Sequence, residues 1–190
     1  MAAVTAGVDP NPAPGEVEVV LALGANLGDR TATLRAAVRE LDATPGVRVR
    51  AVSAPVETDP VGGPDQPDYL NAVVLAGTTL APEELLAACH RVEADHGRER
   101  VVRWGARTLD VDLVAYGEPG TAGEVRSDAS ELTLPHPRAH ERAFVLAPWH
   151  QVQPRARLRL PDGSVHPVAE LLAAAADRGG VRTTAQDPLW

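Results

Sequence analysis

The order of elements along this sequence predicts an α+β fold: a ferredoxin-like βαββαβ core with an antiparallel sheet, helices packed on it, and C-terminal additions. Three observations carry the prediction. Apolar stretches of strand length alternate with two segments of helical period in the order β-α-β-β-α-β. At 190 residues the chain suits one domain with its own core, and 44% hydrophobic against 23% charged residues is a globular composition. No internal repeat interrupts that order. Residues 16–190 are therefore expected to form a single domain. Residues 1–15 are expected to be a disordered extension, because MAAVTAGVDPNPAPGE has neither the basic start nor the apolar centre of a secretory peptide.

Glu16–Leu23 (EVEVVLAL) reads as the first strand, its apolar end suited to a central position. It runs into Gly24-Ala25-Asn26-Leu27-Gly28-Asp29, where the glycines permit a tight turn and Asp29 or Thr31 can cap the next helix. Such a turn can cradle phosphate, but the dinucleotide and Walker A patterns are absent, and a turn packed beside a pocket is the better reading. Leu34, Ala37, Val38 and Leu41 recur at helical spacing, Pro45-Gly46 stops that helix, and Val47–Ser53 alternates as a second strand.

Pro55–Pro67, with four prolines and two adjacent glycines, reads as a long loop of the kind that covers sites. Asp68-Tyr69-Leu70-Asn71 then leads into a third strand over Ala72–Ala76. The aromatic and the amide two residues apart suit either a flat polar heterocycle or an ordinary turn. Pro82-Glu83-Glu84 opens a helix with acid in its first turn. Leu85, Ala88, Cys89 and Val92 form its buried stripe, and Glu93 falls one residue beyond, where a surface role is the ordinary one. TLDVDLVAY (Thr108–Tyr116) is the next strand, and Gly117–Glu131 an acidic loop. Leu132–Pro137 precedes a helix through Arg142, Phe144 and Leu146. Arg157–Leu160 and Val165 flank a Pro-Asp-Gly turn as a hairpin, and Glu170–Ala176 is a short helix.

The chemistry concentrates in RERVVRWGARTLDVD (Arg98–Asp112). Four arginines, Arg98, Arg100, Arg103 and Arg107, precede Asp110 and Asp112. A strand's period of two puts both acids on one face and Leu109, Val111 and Leu113 on the other. Paired carboxylates repel unless positive charge sits between them, and a hard divalent cation with oxygen ligands answers that need. Arginine forks match phosphate oxygens. Together these residues point to a polyphosphate site and to Mg-dependent transfer of a phosphorus group from a nucleotide.

Composition narrows the alternatives. The formal net charge of -8 argues against nonspecific nucleic-acid binding. All 18 basic residues are arginine, which removes a Walker A or Schiff-base lysine. One cysteine excludes an intramolecular disulfide and a thiolate metal cluster. No run has the length needed to cross a bilayer, so neither membrane nor nucleic acid is an expected partner, and the cytoplasm is the expected location. His136, His140 and Glu141 invite a zinc reading, but prolines fence His136 and no third ligand is apparent.

Two longer motifs go further. Gln66-Pro67-Asp68-Tyr69-Leu70-Asn71-Ala72 and Arg103-Trp104-Gly105-Ala106-Arg107-Thr108-Leu109-Asp110-Val111-Asp112 closely resemble the 6-hydroxymethyl-7,8-dihydropterin pyrophosphokinases of folate synthesis. Leu23-Gly24-Ala25-Asn26-Leu27-Gly28 and Leu134-Pro135-His136-Pro137 fit the same family in the same order, so the resemblance runs from about Val17 to Ala175.

The resemblance implies a monomer that transfers the pyrophosphoryl unit of ATP to the pterin hydroxymethyl oxygen. It implies Asp110 and Asp112 as ligands of two Mg ions and, with Arg98 and Arg107, as the catalytic set. Glu93, Arg100, Arg103, Trp104, Arg107, Thr133, His136 and Arg142 are implied as ATP contacts. Thr58, Val61, Tyr69, Asn71, Trp104 and Phe144 are implied as the pterin pocket, with Asn71 on the polar edge of the ring and Phe144 stacked on its face. The sequence departs from the family pattern at Ala106 and Asp59, where proline is common, and at Ala25 in place of serine. It departs again at Glu131 and Pro137, where some members carry a basic and an aromatic residue.

Overall fold

The structure, a computed structural model, describes residues 12–59, 66–97, 108–184 and 189–190. Along the chain, β1 (Val17–Ala25), α1 (Arg30–Ala43), β2 (Val47–Val52), β3 (Val56–Thr58), β4 (Tyr69–Thr78), α2 (Pro82–Asp95) and β5 (Asp110–Tyr116) form the core. After them come β6 (Ser127–Asp128), β7 (Thr133–Leu134), α3 (Ala143–Val152), β8 (Arg157–Arg159), β9 (Val165–Pro167), α4 (Val168–Ala174) and β10 (Val181–Thr183). The main sheet runs β10-β3-β4-β1-β5, with β2 and β3 sharing the side of β4 away from β1. All its pairings are antiparallel, as the ferredoxin-like reading requires.

Each face of the sheet carries its own core. Val19, Leu21 and Leu23 of β1 pack with Leu34, Val38 and Leu41 of α1 and with Leu85, Cys89 and Val92 of α2. Val20 faces the other way, with Val73 and Leu75, against Leu146 and Trp149 of α3 and Val168 of α4. The helix starts follow their sequences. The Asp29 carboxylate accepts from Ala32 N at 2.9 Å to cap α1, and Glu84 accepts from Ala81 N at 2.8 Å at the start of α2.

A β-bulge decides what the two faces present. Val20 pairs with Ala115 and Leu21 with Leu113, so Val114 is the extra residue on β5. An added residue inverts side-chain alternation beyond it. Val111 and Leu113 accordingly pack on the α1–α2 side, while Asp110 and Asp112 turn to the α3 side and reach a cleft.

Several boundaries differ from the sequence reading. The supposed loop Pro55–Pro67 contains β3, anchored by Val56, which is buried and pairs with Asn71. Because β3 supplies a hydrogen-bonding edge, Asp68–Asn71 is not a turn, and β4 already begins at Tyr69. The strand placed at Thr108 begins at Asp110, and the acidic loop includes β6, which pairs with β7. α3 starts at Ala143, after a 3-10 turn at Ala139–Glu141, so Arg142 precedes the helix instead of lying in it. α4 is shifted toward the N-terminus because fully buried Val168 anchors it. Nothing in the sequence reading anticipated β10, whose three residues are too few to show a period. Residues 1–11 of the expected extension lie outside the described residues. Among the described residues no helix is long and apolar enough to cross a membrane.

Cys89 is fully buried in α2, and burial pushes its thiol up to about 12. The thiolate is the reactive form. Iodoacetamide at mildly alkaline pH should therefore leave the native protein unlabelled and modify it fully in denaturant, as mass spectrometry would show.

Candidate active site

Four strands set a group of residues on the α3 side of the sheet. Thr58 of β3 is opposite Tyr69 of β4. Asn71 of β4 is opposite Gly24 of β1, and β5 sets Asp110 opposite Gly24 and Asp112 opposite Ala22. These residues floor a cleft of about 390 Å³, with His136, Arg142 and Phe144 on its far wall.

One half of the cleft is neutral. Asn71 is buried, and its Nδ2 donates to Thr58 Oγ1 at 2.8 Å. A Cβ at Gly24 would stand 3.0 Å from Asn71 Oδ1, so a bare glycine lets that amide lie flat over β1. The Tyr69 hydroxyl lies 3.4 Å from Gln66 Oε1. Asn26, buried in the β1–α1 turn, donates from Nδ2 to the same Gln66 oxygen at 3.0 Å and to Pro67 O at 3.2 Å. The Gly24–Asp29 turn thus borders the pocket. Arg30 adds a 2.8 Å ion pair to Glu57 and a 2.8 Å hydrogen bond to Asp68 O. Arg182 of β10 bridges Asp59 at 2.7 Å and Asp68 at 2.8 Å.

The other half is charged. Arg142 Nη1 lies 3.9 Å from Asp112 Oδ2, and its guanidinium carbon lies 5.5 Å from the centroid of the Phe144 ring. Arg142 therefore borders both halves. His136 donates its backbone N–H to Val114 O at 2.8 Å, so the bulge that turns the acids also anchors this histidine. Burial lowers the His136 imidazole below its ordinary value; the Asp112 charge opposes that shift and Arg142 reinforces it. The imidazole is thus neutral at neutral pH. Because Nδ1 accepts from Arg138 N at 3.2 Å, the proton resides on Nε2. Burial also lowers Arg142, against the pull of Asp112, though it stays cationic.

The structure brings together Thr58, Tyr69, Asn71, Asp110, Asp112, His136, Arg142 and Phe144 of the residues expected at the site. Glu93 lies elsewhere. It is 3% exposed, and its Oε1 accepts from Val111 N at 2.9 Å, under β5 and on the helix side. Thr133 donates to Ala129 O at 3.2 Å and does not line the cleft. Val61, Arg98, Arg100, Arg103, Trp104 and Arg107 lie outside the described residues. His140 and Glu141 form a 3.7 Å contact, but among the described residues no group of three or more candidate ligands gathers for a metal. Cleft residues with no role in the sequence reading include Gly24, Gln66, Arg138, Ala176 and Asp177. Gly24 and Gln66 sat inside quoted motifs; Asp177 carried no signal at all.

The family profile described as 7,8-dihydro-6-hydroxymethylpterin-pyrophosphokinase matches residues 20–154. The chain is 46% identical over 170 residues to a Mycobacterium tuberculosis 2-amino-4-hydroxy-6-hydroxymethyldihydropteridine pyrophosphokinase, covering 86% of this chain and 88% of that protein. It is 41% identical over 161 residues to the Pseudomonas aeruginosa protein of the same name, covering 85% and 93%. Wild-type Plasmodium falciparum HPPK-DHPS, crystallised with pterin and p-hydroxybenzoate, superposes with a TM-score of 0.63 at 12% identity. That match covers 92% of this chain and 47% of the Plasmodium chain, so it bears on the fold alone.

The Glu93 carboxylate is the acceptor that fixes the peptide between the two aspartates. Glu93→Ala should lower unfolding stability by about 1–3 kcal/mol, the cost of stranding a buried donor. Glu93→Gln keeps an acceptor oxygen and should lose less. Urea unfolding of both variants would show the difference.

Proposed function

The chain belongs to the 7,8-dihydro-6-hydroxymethylpterin-pyrophosphokinase family, and on that premise we propose that it transfers pyrophosphate from ATP to the hydroxymethyl group of 6-hydroxymethyl-7,8-dihydropterin. The products are AMP and the dihydropterin diphosphate, within tetrahydrofolate biosynthesis. One observation supports this above all: an amide-and-aromatic pocket for a flat heterocycle and a carboxylate pair for a metal-bound polyphosphate lie in the same cleft, on one face of the sheet.

In this reading Asn71 meets the polar edge of the pterin, Phe144 stacks on its face, and Thr58 and Tyr69 close its sides. His136 Nε2–H and the Arg142 guanidinium donate to ATP phosphates. The hydroxymethyl oxygen bonds to the β-phosphorus, the bond from that phosphorus to its α-side bridging oxygen breaks, AMP leaves, and the hydroxyl proton is released. Asp110 and Asp112 suit two Mg2+ ions. Both offer hard oxygen donors from one strand face into the cleft, and Mg2+ takes one or two carboxylates together with substrate phosphates. Bound there, the ions would neutralise phosphate charge and lower the pKa of the attacking hydroxyl.

The roles of Val61, Arg98, Arg100, Arg103, Trp104 and Arg107 rest on the motif resemblance, and so do those of Glu93 and Thr133 as ATP contacts. The Glu93 geometry favours a supporting role beneath Asp110 and Asp112. We further propose a cytoplasmic monomer acting on these small molecules.

Incubation with ATP, Mg2+ and the pterin should yield AMP. Pyrophosphate would indicate nucleotidyl transfer, and ADP simple phosphoryl transfer. Asp112→Ala should lower turnover by at least about a hundredfold with little change in unfolding midpoint, because the Asp112 side chain is 48% exposed. Turnover near wild type would remove Asp112 from the metal site.

A further inference from the structure

Arg142, which borders both halves of the cleft, and Phe144, beneath its guanidinium, flank the first residue of α3. A helix begins with backbone N–H groups that lack intrahelical partners, and a serine, threonine or aspartate beforehand often satisfies one. Here the preceding residue is Arg142, whose side chain has no acceptor and makes no capping bond. The acceptor comes from 34 residues further on: Ala143 N donates to Asp177 Oδ1 at 3.0 Å and Oδ2 at 3.1 Å. Asp177 itself lines the cleft. Its segment is held on both sides, by α4 packed on α3 and by β10 paired with β3. All of it lies beyond residues 20–154, the stretch matched by the family profile.

We propose that Asp177 is a positioning residue for the reaction, a cap supplied from a distant part of the same chain that fixes how α3 presents Arg142 and Phe144 to the substrates. The proposal rests on the pyrophosphoryl-transfer reading. The capped peptide group lies between the two residues it positions. Release of that N–H lets the first turn of α3 fray, and both side chains lose their common reference. Asp177 acts through its acceptor oxygens, so an amide or hydroxyl oxygen in its place can do the same work.

The test uses the full-length chain as Asp177→Ala, Asp177→Asn and Asp177→Ser. Without substrates, amide hydrogen exchange at Ala143–Leu146 should speed up about tenfold in the alanine variant, with β4 unchanged, and stay near wild type in the other two. In turnover assays, Asp177→Ala should raise KM for the pterin about tenfold, and Asp177→Asn should restore it to within about threefold. A merely structural loss lowers the amount of active enzyme, and so apparent kcat, while leaving KM alone. An active wild type with unchanged KM in Asp177→Ala, or no rescue by either polar variant, overturns the positioning role and leaves the reaction standing. A wild type that makes no AMP overturns the reaction itself, and with it the role assigned to Asp177, even where the exchange data confirm the cap.

Discussion

The site depends on one extra residue. Because Val114 bulges out of the β1–β5 ladder, the residues before it sit on the face opposite to the one an unbroken ladder would give them. Without that step Asp110 and Asp112 would point into the packed layer beneath α2, where two carboxylates cannot stay ionised without partners. With it, Val111 and Leu113 take the buried positions and the acids reach the cleft. The same bulge offers its carbonyl to the His136 backbone N–H, so one local irregularity sets both the acids and the imidazole across from them. On the far side of β5 the Glu93 carboxylate takes the Val111 N–H. The strand is thus held at two points, by Glu93 at Val111 between the two acids and by His136 at the bulged Val114.

Charge in the cleft is arranged by the same economy of parts. Arg142 lies within 3.9 Å of Asp112 and over the Phe144 ring. Its partial burial is tolerable because opposite charge stands nearby. His136 differs, since burial outweighs the pull of Asp112 and keeps the ring neutral, with its proton directed by the Nδ1 contact to Arg138 N. In the proposed reaction, a neutral donor beside a permanent cation would give a polyphosphate two unlike contacts, one tied by geometry and one by charge.

How much of this could be read from the sequence follows from where the information is stored. The α1 stripe of Leu34, Ala37, Val38 and Leu41 appears buried as spaced, since helical period is a local property. The shared face of Asp110 and Asp112 was legible for the same reason, but which face it was depended on a bulge defined only by pairing with β1. Pairing also hid β3: three residues among prolines look like loop until Val56 meets Asn71. Glu93, one residue past an apolar stripe, looked like a surface acid because the N–H it serves belongs to a strand 18 residues away. Gly24 was legible as a turn residue, whereas its use as bare floor beneath Asn71 required the neighbouring strand. Motif resemblance recovered most cleft residues because long motifs carry tertiary information that local chemistry does not. It was silent on Ala176 and Asp177, which no motif contained.

The edge of the neutral half is held by charge and by strand pairing. Where the resemblance leads one to expect proline beside Thr58, there is Asp59. Proline would stiffen the end of β3 by fixing φ; aspartate cannot. Asp59 instead meets Arg182, which also holds Asp68, so the two ends of the 60–65 segment share one guanidinium. Such exposed ion pairs are worth about 0–1 kcal/mol each and weaken with salt, so they cannot by themselves replace a proline. The firmer restraint is the backbone pairing of Val181, Arg182 and Thr183 with Thr58, Glu57 and Val56. It makes β3 an internal strand instead of an edge one, with the Arg182 ion pairs just beyond its end. A strand from beyond residues 20–154 thus holds β3, and with it Thr58, in the sheet through backbone pairing.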